Sequence, residues 1–297
     1  MESHTIKGVE QVGNMDIYFE YDRIDDSLPT LVLLHGFLSS SFSFRKLVPY
    51  LIKEYNVISI DLPPFGQSGK DYRYTYSFRN IANSVVMFLE GKDIRKFSTI
   101  GHSMGGQISL QLIKSYPHLV DHAILLAGSG YQPSYSEKMK MVSYLPFFSF
   151  GIKRYLQKSG IEKNLKNVVH DPAMIDDEMR QGYLGPFIKK HDIFRALGRM
   201  LRDKEVDLLK EDLSDIHTPC LLIWGRHDRV VPLNIGQRLH EDLPNSKLVV
   251  LEESGHLLPE EKPEEVYQLI KGFIGVATPT THEYIAEIHE YIAEIHE

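Results

Sequence analysis

The sequence predicts an α/β fold, a mostly parallel, doubly wound sheet with helices on both faces. Short continuous apolar runs (Leu31–Leu34, Asn56–Ile60, Ala123–Ala127, 219–224 and 247–251) have the composition of strands covered on both sides. Helical patterns alternate with them at the spacing that right-handed crossovers require. The length of 297 residues suits one large domain, or one domain carrying an insertion.

Residues 4–24 alternate loosely and end in Met15-Asp16-Ile17-Tyr18-Phe19-Glu20-Tyr21, a pattern for antiparallel strands at a sheet edge. Asp25 to Pro29 breaks it. Leu31–Leu34 then leads into His35-Gly36-Phe37, and Asn56–Ile60 into Asp61-Leu62-Pro63-Pro64-Phe65-Gly66. A helix is predicted around 77–90. The run Phe97 to Ile100 enters Gly101-His102-Ser103-Met104-Gly105-Gly106, and a helical pattern leaves it, with Met104, Ile108, Leu112 and Tyr116 on one face. Helix 262–274 closes the domain on an apolar face of Val266, Leu269, Ile270 and Phe273.

Residues 131–205 interrupt the alternation just after the strand at 123–127, where sheets of this class open their ligand crevice. Rich in Met, Tyr and Phe and broken by Pro146, Gly160 and Pro172, they read as a helical cap roofing the site. Most of those aromatics serve to attach the cap. The core is then 1–130 with 206–276. Residues 277–297 form a linker and an exact heptad repeat, with Ile285, Ile288, Ile292 and Ile295 on one stripe. That stripe could drive self-association, although so short a helix is weak alone. The repeat reads as a recent duplication or an appended segment and is set aside from the fold. His289 and His296 within it read as a solvated face, ahead of a metal site.

A net charge of −7, with no run of Lys and Arg, argues against a nucleic-acid partner. The single cysteine, Cys220, excludes an intrachain disulfide and sits in an apolar run, so it reads as a small buried hydrophobe. No apolar leader and no stretch of transmembrane length is present, and the expected location is cytoplasmic.

The chemistry gathers at strand ends. A serine on a sharp strand-to-helix turn, flanked by glycines two residues away, is lifted clear of the sheet and set at the positive end of a helix. A hydroxyl needs a base, and the base an orienting acid. Asp228, in Gly225-Arg226-His227-Asp228, and His256, in Ser254-Gly255-His256, each follow a buried strand and complete the order Ser103, Asp228, His256. The turn after 123–127 reads Gly128-Ser129-Gly130 and offers no carboxylate. Among other histidines, His35 and His102 read as structural, and His118, His122 and His240 as surface residues. His227 is the nearest competitor but should point away from its neighbour Asp228. The oxyanion donors would be the N–H groups of Phe37 and Met104, with Gly36 allowing close approach.

These motifs, spread over residues 15–275, resemble the α/β-hydrolase superfamily in its esterase and lipase branch. Pro64 departs from the glycine usual in relatives. A serine at 103 argues against the branches with an aspartate nucleophile, the haloalkane dehalogenases and epoxide hydrolases. The resemblance implies a carboxylesterase-type serine hydrolase acting on a small-molecule ester of short to medium acyl chain. No cofactor or metal is implied. The same triad could instead cut a lactone, a thioester or a carbon–carbon bond. A slow, ligand-sensing member that signals through a partner is the reading of a different class.

Overall fold

The computed structural model describes residues 5–145, 147–158, 161–189 and 192–275, so the heptad tail and its proposed self-association lie outside the described residues. Eight strands form one sheet: β1 (Thr5–Val12), β2 (Met15–Asp22), β3 (Thr30–Leu34), β4 (Asn56–Ile60), β5 (Phe97–His102), β6 (Val120–Leu126), β7 (Cys220–Gly225) and β8 (Ser246–Leu251). Their spatial order is β1-β2-β4-β3-β5-β6-β7-β8. β2 runs antiparallel to β1 and β4, and all pairs from β4 to β8 are parallel. The expected α/β class and its antiparallel edge are both present.

Helices α1 (Val48–Leu51), α2 (Phe78–Glu90) and α3 (Met104–Ser115) follow the early strands. Helices α4 (Glu137–Val142), α5 (Phe148–Lys158), α6 (Ile161–Val168), α7 (Asp177–Lys189) and α8 (Ile193–Asp203) lie between β6 and β7. Helices α9 (Lys210–Leu213), α10 (Leu233–Asp242), α11 (Leu258–Glu261) and α12 (Pro263–Gly275) complete the chain.

Why these residues form these elements is plain in the centre of the sheet. All of Leu31 to Leu34 are fully buried, and so is the Ala123 to Leu126 stretch, because helices cover both faces. One departure from the sequence reading has a physical cause. β8 is expected as a core strand, yet five of its six residues are only partly buried, since it pairs with β7 alone at the sheet's end. α10 carries His240 and packs Ile235, Leu239 and, at its end, Leu243 against the core at helical spacing.

The parallel register brings the ends of β3, β5, β6, β7 and β8 to one edge: Leu34 lies beside Gly101, His102 beside Leu126, and Gly225 beside Leu251. The inserted helices have a small apolar cluster of Leu165, Val169, Ile175 and Met179, which Leu257 joins from the loop after β8. At their neck, the Gln132 N–H donates to Asp207 Oδ2 at 2.9 Å and the Asp207 N–H to Gln132 O at 3.2 Å. Both ends of the insertion are thereby held together.

Candidate active site

Ser103 stands between β5 and α3 with φ 52° and ψ −113°, a conformation foreign to non-glycine residues. Such a residue costs about 1–3 kcal/mol and persists only where its surroundings over-determine it. Here they do. The Ser103 N–H donates to Leu126 O, and its carbonyl accepts from the N–H groups of Gly106 and Ser129, each at 3.0 Å. The flanking glycines are required by space: a Cβ on Gly105 would lie 1.9 Å from Leu34 O, and one on Gly101 2.4 Å from Gly105 O. The loop after β3 runs against the serine, since a Cβ on Gly36 would come within 3.1 Å of Ser103 Cβ.

The loop after β7 holds Asp228, which is buried. Its Oδ1 accepts from the Val230 and Val231 N–H groups at 2.7 and 2.9 Å, and Oδ2 faces His256 Nδ1 at 2.7 Å. One carboxylate oxygen is thus locked by backbone, leaving the other to fix the imidazole tautomer. His227 turns away to stack on His170 of the insertion, with ring centroids 4.5 Å apart.

His256 is itself clamped. Its N–H donates to Val168 O at 2.8 Å. The Glu261 carboxylate accepts from the N–H groups of Gly255, Leu257 and His170, at 3.0, 3.0 and 2.7 Å. The His256 carbonyl accepts from His102 Nε2 at 2.8 Å, and the two rings are 4.8 Å apart. Sequence reasoning treats His102 as structural and is silent on Glu261. Both bear on His256 through contacts that no local pattern announces.

The five predicted residues fall into two groups. Ser103, Phe37 and Met104 line one cavity of about 610 Å³, along with Phe78, Leu197 and Met200. Asp228 and His256 are joined to each other, and His102 links them to the serine's turn. Among the described residues, Ser103 Oγ makes no hydrogen bond with His256, and this one link of the set is not closed here. Such contacts often tighten only when substrate arrives. Met104 opens α3, so its N–H has no intrahelical acceptor and is free to meet a developing anion.

Burial, and after it the neighbouring His256, pushes the His102 pKa down to about 3. Burial likewise lowers His35, whose Nδ1–H donates to Gly36 O at 2.7 Å while Nε2 accepts from the Leu62 N–H at 2.8 Å. Both rings are neutral in the fold. An unfolded histidine titrates near 6.5, so the unfolded state binds the extra proton first as pH falls. The stability His102 contributes is therefore complete above about pH 6.5 and is lost towards pH 3, at about 1.4 kcal/mol per pH unit. Urea midpoints measured across that range should show a shallower fall for His102→Gln than for wild type. Equal slopes would mean that His102 is not held neutral.

The family model for the alpha/beta hydrolase fold matches residues 29–160 and 176–263. The chain belongs to the α/β-hydrolase fold family. This hydrolase is 46% identical over 263 residues to the uncharacterized hydrolase YugF of Bacillus subtilis (strain 168), covering 89% of this chain and 96% of that protein. It is 28% identical over 276 residues to a 2-hydroxy-6-oxononadienedioate/2-hydroxy-6-oxononatrienedioate hydrolase of Paraburkholderia phymatum, covering 89% and 93%. The crystal structure of a bacterial membrane phospholipase A superposes with a TM-score of 0.75 at 24% identity, covering 91% and 86%, which bears on the fold alone.

Proposed function

We propose that this α/β-hydrolase cleaves carboxylic esters of short to medium acyl chain through an acyl-enzyme. Ser103 Oγ attacks the acyl carbon as its proton passes to His256 Nε2. Asp228 stabilises the imidazolium without taking the proton. The N–H groups of Phe37 and Met104 bind the oxyanion. Collapse expels the alcohol, which receives the proton from His256. Water then attacks the acyl-enzyme by the same route, releasing the acid and restoring Ser103. Residues 131–205 roof the site as a cap.

The observation that carries this reading is the 2.7 Å Nδ1–Oδ2 bond between His256 and Asp228, at the sheet edge where Ser103 occupies its strained turn. A second reading, hydrolysis of a carbon–carbon bond, draws on the name of the 28%-identical relative. A dienedioate is a dianion and calls for cations in the pocket that have no other duty. Among the described lining residues, the cation is Lys204, whose ammonium donates to Asp207 Oδ1 at 3.0 Å and faces the carbonyls of Gln132, Pro133 and Glu205 at 3.3–3.5 Å. Its charge is already matched. The apolar wall of Phe78, Leu197, Met200 and Val231 suits an uncharged acyl group.

The test is a series of nitrophenyl esters of rising chain length. Each buried methylene contributes about 0.8 kcal/mol, so kcat/KM should rise about fourfold per carbon until the cavity is filled, then fall. Flat, barely measurable turnover across the series would count against an esterase. It would favour either the carbon–carbon substrate or a slow ligand sensor.

A further inference from the structure

The insertion carries a surface that catalysis does not use. Met141, Tyr144, Leu145, Phe147 and Phe150 are 70, 74, 59, 82 and 60% exposed, and α4 buries none of its residues. Single exposed apolar side chains are ordinary, but five large ones within ten residues are not. The other side of the segment is anchored. Arg202 Nη1 donates to Ser143 O at 2.9 Å and to Ser143 Oγ at 3.1 Å, and Phe148 packs on Gly198 of α8. The apolar face is therefore presented outward on a fixed base. Tyr135 and Gly151, at its two ends in sequence, line the cavity that contains Ser103.

Its charge is opposite to that of the molecule. The whole chain is −7, whereas residues 137–158 hold five cations (Lys138, Lys140, Lys153, Arg154 and Lys158) against Glu137, a net +4. Aromatic and aliphatic side chains flanked by Lys and Arg on short helices are the composition that lies in a lipid–water interface. A second copy would set +4 against +4. No described helix is long and apolar enough to cross a membrane, so attachment would be to the surface. We propose that this face docks on an anionic lipid bilayer, with Tyr144, Leu145, Phe147 and Phe150 entering the interface and the cations held among the headgroups. Passage of a lipid ester from that surface to Ser103 rests on the esterase reading, whereas the docking does not.

The full chain bearing Ser103→Ala, sedimented with vesicles, separates binding from turnover. Vesicles of phosphatidylglycerol and phosphatidylcholine in equal parts should bind it at least about tenfold more strongly than phosphatidylcholine alone, and high salt should release it. Adding Leu145→Glu and Phe147→Glu should abolish that binding. The same pair of substitutions on Ser103 enzyme should leave hydrolysis of a soluble short-chain nitrophenyl ester unchanged, which shows the fold intact. No binding to anionic vesicles, equal binding by the doubly substituted chain, or a vesicle-free dimer that those substitutions dissolve would each overturn the docking. Vesicle binding without ester turnover would instead sink the esterase reading and leave the docking in place.

Discussion

Replacing Ser103 with alanine is expected to lower kcat on the best nitrophenyl ester by about 10⁴–10⁶-fold, with KM changed by only a few fold. The hydroxyl forms its bond to the acyl carbon only on the way to the transition state, so kcat and kcat/KM should fall together. The fold should tolerate the change. Alanine keeps the Cβ, and the backbone bonds that hold the turn, from the Ser103 N–H to Leu126 O and from the Gly106 and Ser129 N–H groups to Ser103 O, do not involve Oγ. Thermal midpoints should therefore lie close to wild type. The residual rate would come from the oxyanion amides of Phe37 and Met104 and from binding alone. Rapid quench with a nitrophenyl ester should show a burst of about one nitrophenol per site in wild type and none in the variant. If the variant keeps more than about a hundredth of wild-type kcat, the nucleophile lies elsewhere.

The parts of this protein legible in its sequence are those set by local rules. The central strands announce themselves because burial on both faces demands unbroken apolar runs, and Leu31–Leu34 has no polar interruption. The serine's turn is legible because Gly101 and Gly105 are needed sterically within two residues of Ser103. Asp228 and His256 could be singled out by their places after β7 and β8, since parallel strands deliver those loops to one edge. The remainder depends on contacts far apart in sequence. His102 reaches the His256 carbonyl across 154 residues. Glu261 grips the His170 N–H across 91 residues, and a glutamate near a helix start is unremarkable on paper. Gly236 of α10 packs so near the Trp224 ring that a Cβ there would come within 2.7 Å, a requirement that no apolar pattern announces.

Asp228→Asn is the second large effect, expected at about 10⁴-fold in kcat with the fold retained. The reason lies in the division of labour between the two carboxylate oxygens. Oδ1 is held by the Val230 and Val231 N–H groups, and an asparagine carbonyl can accept both bonds unchanged. The amide NH₂ is then left facing His256 Nδ1, where Oδ2 stood at 2.7 Å. Nδ1 must become the acceptor, so the proton moves to Nε2. An imidazole protonated at Nε2 cannot take the proton of Ser103. The loss is thus one of tautomer, and it should persist at every pH at which the ring is neutral. Stability should change little, because no buried group loses its hydrogen bond. Asp228→Ala makes the contrast. It strips the acceptor from the Val230 and Val231 N–H groups, leaving that loop with two unpaired donors, at about 1–3 kcal/mol each where they stay buried. Paired urea melts and ester kinetics distinguish the two effects: Asn should lose rate without stability, and Ala should lose both. If Asn keeps wild-type kcat, the carboxylate does not set the tautomer of His256, and the triad assignment falls with it.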